Sequence, residues 1–283
     1  MLKSLSNCLF YLRSFMYPFI EIFGRTIGTY GILAAIGMFA SALCCYLLLR
    51  KKEVYFEDIA MTGLIFAAGA VIGAHIVYGF TNTDKIIELF KNLKDYNFIS
   101  FVQTLFGNYF GGMVFYGGLI GGLIALVISD KVSQKYFRGD VMFDAVAVAI
   151  PLFHTFGRIG CFLGGCCYGV ACDVGFTVHG NTLYPAVNDV NRLPIQLIES
   201  ALNLILFFVL LVLYKKGKFQ HRMLIVYFYI YPVIRFTDEF FRGDEIRGFL
   251  FGLSTSQIIS ILLFLFAVTV TVIDVSKKRL QKE

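Results

Sequence analysis

Two arginines stand in stretches that are otherwise apolar enough to lie in a membrane. Arg158 lies within residues 141–165, and Arg235 lies within residues 223–241. A guanidinium in hydrocarbon costs about 2.5 to 3.5 kcal/mol on insertion scales, so each arginine requires an anionic partner or a wet cavity. Because the planar fork of arginine matches the oxygens of a phosphate, the two residues predict a site for an anionic ligand.

Other polar groups accompany the arginines at helical spacing. His154 lies four residues before Arg158, and Glu239 lies four residues after Arg235, so each pair is predicted to share a helix face. Tyr231 lies one turn before Arg235. So many polar groups near one end of a span favour function over packing, although a purely structural ion pair stays an alternative for Arg158.

The same spacing places Asp238 and Arg242 on one helix face. A second candidate for a functional segment is the run at 111–122, which holds six glycines in twelve residues. Such a run is typical either of close helix packing or of a backbone that approaches a ligand head group, and both readings stay open. The remaining predicted binding residues are Tyr30, His75, Gly117, Gly118, Cys161, Cys166, Glu199 and Arg242. For Tyr30 and His75, ordinary interfacial side chains are the alternative.

The composition predicts the membrane that these residues would occupy. The chain has 283 residues, of which 58% are hydrophobic and 16% are charged, and its mean hydropathy is +0.73. Soluble domains have about 25% charged residues, so the chain is predicted to be an all-α polytopic membrane protein with one integral membrane domain over 1–283. Seven spans are predicted near 27–49, 58–80, 110–129, 141–165, 193–214, 223–241 and 254–273.

Basic residues predict the orientation of these spans. They cluster at 50–52, 131–138, 215–222 and 277–282, after alternate spans, so these connections are expected to be cytoplasmic. The N-terminus is then outside, the C-terminus is cytoplasmic, and no nucleic-acid partner is needed to explain the net charge of +6. An interfacial helix is predicted at 85–106, and an outer loop at 166–192 is predicted to cap the site.

Four of the seven cysteines fall within twelve residues, at Cys161, Cys166, Cys167 and Cys172. Small residues lining a cavity, with one disulfide that holds the loop, are the favoured interpretation for an oxidising compartment. A covalent lipid relay through Cys161 or Cys166 is an alternative. Metal sites usually show CxxC pairs, which are absent from this segment, so no metal and no cofactor are predicted.

Several motifs, taken together, resemble the bacterial prolipoprotein diacylglyceryl transferases over nearly the whole chain. They are Tyr30-Gly31, Gly73-Ala74-His75, 112–121, Gly157-Arg158-Ile159-Gly160, 193–199, Arg235-Phe236, 239–242 and 253–257. This family moves a diacylglyceryl group from phosphatidylglycerol to the lipobox cysteine thiol of a prolipoprotein. The resemblance implies seven spans in the bacterial plasma membrane, a site that faces the outer leaflet, and these two substrates as partners.

The resemblance also implies residue roles. Arg158 and Arg235 match the two arginines that act on the lipid phosphate, and Glu239, Tyr231 and Tyr30 match residues that line the same cavity. Paired guanidiniums would stabilise the charge that develops on the leaving phosphate.

Five positions depart from the family pattern, two of them being Gly164 in place of an asparagine and His75 where an arginine is common. Tyr116 stands where well-studied members have a histidine that is a favoured base, and Cys161 and Cys166 stand where they have asparagine and glutamate. The base is therefore sought among Tyr116, His154 and Glu239. Two alternatives stay open: a paralogue with another acceptor, and a non-catalytic protein that binds or transports anionic phospholipid.

Overall fold

The computed structural model describes residues 17–50, 52, 54–132, 139–244, 249–250 and 252–281. These residues are mainly helical. The helices are α1 (Thr29–Leu49), α2 (Phe56–Thr81), α3 (Thr83–Lys91), α4 (Phe98–Val102), α5 (Phe115–Val132), α6 (Gly139–Gly164), α7 (Ile195–Lys215), α8 (Met223–Asp238) and α9 (Thr255–Leu280). Three antiparallel pairs accompany them: β1 (Phe19–Ile22) with β2 (Arg25–Gly28), β3 (Ala171–Thr177) with β4 (Asn191–Arg192), and β5 (Phe249–Leu250) with β6 (Leu253–Ser254).

Five helices among the described residues are long and apolar enough to cross a membrane: α1, α2, α6, α7 and α9. The prediction of an all-α membrane protein agrees with this architecture. The helices in the two remaining predicted spans are shorter, with 18 residues in α5 and 16 in α8. The predicted start at residue 110 is too early, because α5 begins only at Phe115. The predicted end at residue 241 lies in a 3₁₀ turn, Glu239–Phe241, that follows α8.

The helices belong to two compact units, which are described separately. One unit covers residues 48–142, in which α2 packs along α5 through glycines. A Cβ atom at Gly73 would lie 2.3 Å from the carbonyl oxygen of Gly117, and one at Gly121 would lie 2.3 Å from that of Gly69. Only glycine permits so close an approach of the two backbones, which supports the packing interpretation of this run.

The stretch predicted as one interfacial helix, 85–106, is interrupted in the structure. It consists of α3, a 3₁₀ turn at Leu93–Asp95, α4 and a π-helix at Gln103–Tyr109. Asn97 caps α4 by accepting a hydrogen bond from the Ser100 backbone nitrogen at 2.7 Å. The helical periodicity of the sequence therefore correctly predicted helical structure in this stretch, but the prediction of one uninterrupted helix was wrong.

The other unit holds the remaining helices, from residues 17–47 and 143–281. In it, α8 packs against both α7 and α9, and α1 contacts α6, where the Ser41 hydroxyl donates to the Ala149 carbonyl at 3.2 Å. Helix α9 begins with a capping box formed by Ser254 and Gln257, which satisfies backbone groups at its first turn.

The predicted outer loop, 166–192, is ordered around Asn181. The Asn181 side chain donates to the Gly164 carbonyl at 3.1 Å and accepts from the Leu183 and Tyr184 backbone nitrogens. Strands β3 and β4 close the segment immediately before α7. Among the residues used to predict orientation, Lys51, Lys135, Arg138 and Lys282 lie outside the described residues, as does the N-terminal segment 1–16.

Candidate active site

In the unit that holds residues 17–47 and 143–281, a first buried ion pair joins α6 to α7. The Arg158 Nη2 atom lies 2.8 Å from both carboxylate oxygens of Glu199, and His154 Nε2 lies 3.4 Å from Glu199 Oε1. All three residues are at most 7% exposed. Because a buried charge is stable only when it is paired, Glu199 is the residue that allows Arg158 to remain charged inside the fold.

Reciprocal contacts hold α6 and α7 in the register that this pair needs. The Ser200 hydroxyl donates to the Thr155 carbonyl at 3.0 Å, one residue away from each member of the His154–Glu199 contact. On α7, the Asn203 side-chain amide donates to the Glu199 carbonyl at 2.8 Å. The hydrogen bond between residues 155 and 200 therefore fixes the axial position at which Glu199 on α7 faces Arg158 on α6.

The second buried ion pair joins α8 to the turn that follows it and to α9. The Arg235 Nη2 atom lies 2.5 Å from Glu239 Oε2 and donates to the Ser256 hydroxyl at 3.0 Å. The spacing of four residues predicted the first of these contacts. Ser256 lies in the motif 253–257, but its contact with Arg235 was not predicted, because a serine at the start of a helix has the sequence signature of a cap.

Tyr231 contacts His154 of the first ion pair and lies one turn before Arg235 of the second. Its ring is 5.3 Å from the His154 ring and stacks on Tyr227 at 5.2 Å with an interplanar angle of 6°. Electrostatically the two pairs form one cluster, since the charges of Arg158 and Arg235 both act on the Glu199 carboxylate. The structure thus brings together the predicted residues of α6, α7 and α8.

Several buried polar atoms of this cluster have no hydrogen-bond partner among the described residues. They include Nε of Arg158, Nη1 of Arg235 and Oδ2 of Asp238. An unsatisfied buried donor costs about 1 to 3 kcal/mol, so such atoms are expected where a ligand supplies the partner. Two guanidinium donors facing no protein acceptor are suited to the oxygens of an anion.

Arg242 makes different contacts from those predicted. The helical spacing predicted a shared face with Asp238, but α8 ends at Asp238 and the chain leaves the helix through a 3₁₀ turn. Arg242 instead donates to Asp244 through Nε at 3.2 Å and Nη2 at 2.9 Å, and its backbone pairs with Gly169. Asp244 had no signal in the sequence beyond its charge.

Tyr30 lies at the start of α1 with 44% of its surface exposed. A Cβ atom at Gly160 would lie 3.2 Å from its ring, so Tyr30 rests against α6 two residues beyond Arg158. The predicted residues His75, Tyr116, Gly117 and Gly118 belong to the other compact unit. There, His75 Nδ1 lies 2.6 Å from the Phe110 carbonyl, and Tyr116 is 2% exposed.

Three thiols gather where α6 ends. The sulfur atoms of Cys161, Cys166 and Cys167 all lie within 4.8 Å of one another, and these three cysteines carry free thiols. Hydrogen bonds from the Cys161 and Cys166 thiols hold the pKa of Cys167 well below its ordinary range, whereas hydrogen bonding to the neighbouring thiols raises the pKa of Cys166. The predicted disulfide is not formed among the described cysteines. Cys167, which the sequence placed in the cysteine-rich segment but not among the predicted binding residues, lies beside Cys161 and Cys166.

The fold and this site define a helical membrane protein with a buried arginine and carboxylate centre. The family model for prolipoprotein diacylglyceryl transferase matches residues 18–273. The chain therefore belongs to the prolipoprotein diacylglyceryl transferase family, and it is a transferase.

Curated relatives agree with this assignment. A phosphatidylglycerol–prolipoprotein diacylglyceryl transferase of Clostridium tetani is 34% identical over 92% of this chain and 98% of its own length. A second, from Clostridium perfringens, is 30% identical over 93% of this chain and 96% of its own length. One from Campylobacter curvus is 29% identical over 86% of this chain and 88% of its own length.

Proposed function

We propose that this chain transfers a diacylglyceryl group from phosphatidylglycerol to the lipobox cysteine thiol of prolipoproteins. The observation that carries the proposal is the pair of buried guanidiniums, Arg158 and Arg235. Each is held by one carboxylate, and each has a buried donor without a hydrogen-bond partner in the part of the chain that the structure describes. Two such donors suit the phosphate of an anionic lipid, and the relatives' names supply the substrates.

The reaction forms one bond and breaks another. The thiolate sulfur of the acceptor cysteine attacks the glycerol carbon of the diacylglyceryl group that bears the phosphate. The bond between that carbon and the phosphate oxygen breaks. Glycerol phosphate leaves with the electron pair, while the thiol proton passes to a base or to water. The guanidiniums of Arg158 and Arg235 stabilise the negative charge that develops on the departing oxygen.

The remaining site residues have supporting roles in this proposal. Glu199 and Glu239 orient the two arginines, and Tyr30, Tyr231 and Arg242 line the lipid cavity. His75, Gly117, Gly118, Cys161 and Cys166 are further predicted binding residues. His154, Tyr116 and Glu239 are the candidates for the base that takes the thiol proton, and His154→Gln, Tyr116→Phe and Glu239→Gln separate them. Only replacement of the base removes the acid limb of the pH profile of kcat/KM.

The proposal also places the chain in the bacterial plasma membrane with seven spans. Helices α5 and α8 then cross the membrane together with the five longer helices. Lys131, Lys215 and Lys277 lie in the last turns of α5, α7 and α9, as expected if these three helices end on the cytoplasmic side. The N-terminus is then outside, and the site faces the outer leaflet.

A transfer assay with purified protein tests the function. Labelled phosphatidylglycerol is incubated with a lipobox peptide, and both diacylglyceryl peptide and released glycerol phosphate are measured. We expect equal amounts of the two products and none with a peptide whose cysteine is replaced by serine. Arginine-dependent lipid binding without any product would reject the transfer reaction and leave an anionic-phospholipid binding protein.

A further inference from the structure

The three thiols at the end of α6 have the geometry of a metal site. In tetrahedral coordination with bonds of about 2.3 Å, thiolate sulfurs lie about 3.8 Å apart. The sulfur atoms of Cys161, Cys166 and Cys167 all lie within 4.8 Å of one another, so shifts of about 1 Å or less bring all three onto one ion. Sequence spacing alone predicted no metal, because the ligands come from a folded turn rather than from CxxC pairs.

The backbone is shaped to bring these thiols together. Helix α6 ends at Gly164, and the backbone nitrogens of Gly165 and Cys166 both donate to the Cys161 carbonyl, at 3.0 and 3.1 Å. Gly165 and Cys167 then adopt positive φ angles of 81° and 57°. A left-handed conformation costs a residue other than glycine about 1 kcal/mol, and such strain is found mainly where function requires it. The left-handed conformation at Cys167 turns the chain so that the third thiol lies close to the end of α6.

The surroundings suit an ion held by three thiolates. Three thiolates and one divalent cation carry one net negative charge, and the nearby guanidiniums of Arg158 and Arg242 both act on Cys167. Cys161 is 8% exposed, whereas Cys166 and Cys167 are half-buried. The cluster is therefore fixed on one side and accessible on the other, which is the arrangement of a metal site with an open position.

We propose that Cys161, Cys166 and Cys167 bind a thiophilic divalent cation of the zinc class and leave its fourth position open for the acceptor thiol. The role of the fourth position rests on the proposed function, but the metal site does not. A thiol that coordinates such an ion is deprotonated outright, which supplies the attacking thiolate without the histidine that Tyr116 replaces. The sulfur would exchange its bond to the ion for a bond to the glycerol carbon, whose bond to the phosphate oxygen breaks. Glycerol phosphate would leave with that electron pair, and the thiol proton would pass to water.

Metal binding is tested on purified, tag-free protein kept under reducing conditions. We expect about one Zn²⁺ per chain by elemental analysis, and Co²⁺ in its place gives the sulfur-to-cobalt charge-transfer absorption of thiolate ligation. The single variants Cys161→Ser and Cys166→Ser lose most of the bound metal, and the triple serine variant loses all of it. Cys172→Ser, in the same loop but outside the cluster, retains it. Wild-type protein that binds no metal, or a triple variant that binds as much as wild type, overturns the site.

The open position is tested by adding a lipobox peptide to the Co²⁺-loaded protein. The cysteine peptide is expected to change the cobalt spectrum, and the serine peptide is not. Identical spectra with both peptides would refute the role of the fourth position while leaving the metal site intact. Transfer that continues at full rate after the metal is removed would also refute that role, while the proposed transferase function would stand.

Discussion

The guanidinium of Arg158 on α6 and the carboxylate of Glu199 on α7 form a buried ion pair, with Nη2 2.8 Å from both carboxylate oxygens. The contact uses one end of the guanidinium and leaves Nε without a hydrogen-bond partner among the described residues. Glu199 therefore positions Arg158 and balances its charge, while the arginine keeps a donor for an anionic ligand. This division of roles leads to the first prediction.

Replacing Glu199 by alanine should destabilise the protein strongly. The Arg158 charge would be left buried and uncompensated, and breaking such a pair costs about 3 to 5 kcal/mol. Thermal unfolding in detergent would show a large fall in melting temperature. The matched control is Asp189→Asn, which breaks an exposed pair with His179 and should change stability by about 1 kcal/mol or less. Equal effects from the two substitutions would show that the buried pair is not needed for folding.

Ser256 is predicted to position Arg235. Its hydroxyl accepts from Nη2 at 3.0 Å, and a hydrogen bond to a charged group contributes about 1.5 to 3 kcal/mol. Ser256→Ala should lower kcat for transfer about tenfold with a smaller change in KM, and Ser256→Thr should restore most of it. Thr269→Val on the same helix removes a hydroxyl that donates to the Leu265 carbonyl of its own helix. A loss of rate in Thr269→Val as large as in Ser256→Ala would argue against a specific role for Ser256.

Gly117 and Gly118 are neighbours in α5 that should respond differently to alanine. A Cβ atom at Gly117 would lie 2.4 Å from the Gly73 carbonyl, whereas one at Gly118 meets its nearest atom at 3.4 Å. Because backbone cannot move aside easily, Gly117→Ala should cost about 1 to 3 kcal/mol of stability, as overpacking usually does. Gly118→Ala should leave the melting temperature nearly unchanged. A similar loss in both variants would indicate that the glycines serve something other than the contact between α2 and α5.

Much of the fold could be predicted from the sequence because membrane helices are encoded by long apolar stretches. The bounds of α1, α2, α6, α7 and α9 fall within a few residues of the predicted spans, apart from the C-terminal end of α9. Residues 85–106 could not be predicted, because a stretch of amphipathic periodicity does not reveal where the helix breaks.

The site was predictable only in its local part. The contact between Arg235 and Glu239 follows from a spacing of four residues, but the partner of Arg158 is 41 residues away on another helix. The predicted partner of Arg242, Asp238, was wrong because the sequence placed the end of α8 too late in the chain. The sequence shows the cysteine-rich segment, but it could not predict that three of its thiols meet, since their meeting depends on a positive φ angle at Cys167 that no composition signals.

The account depends most directly on the two arginines acting on the phosphate during transfer. We would measure the single-turnover rate of transfer from phosphatidylglycerol to a lipobox peptide for wild type, Arg158→Lys and Arg235→Lys. Lysine keeps the charge and protects the fold, but it loses the fork that binds phosphate. Loss of a transition-state donor lowers rates about 10² to 10³-fold, so each variant should be at least about tenfold slower while retaining its circular dichroism spectrum. Folded variants that transfer at the wild-type rate would contradict the central role of Arg158 and Arg235.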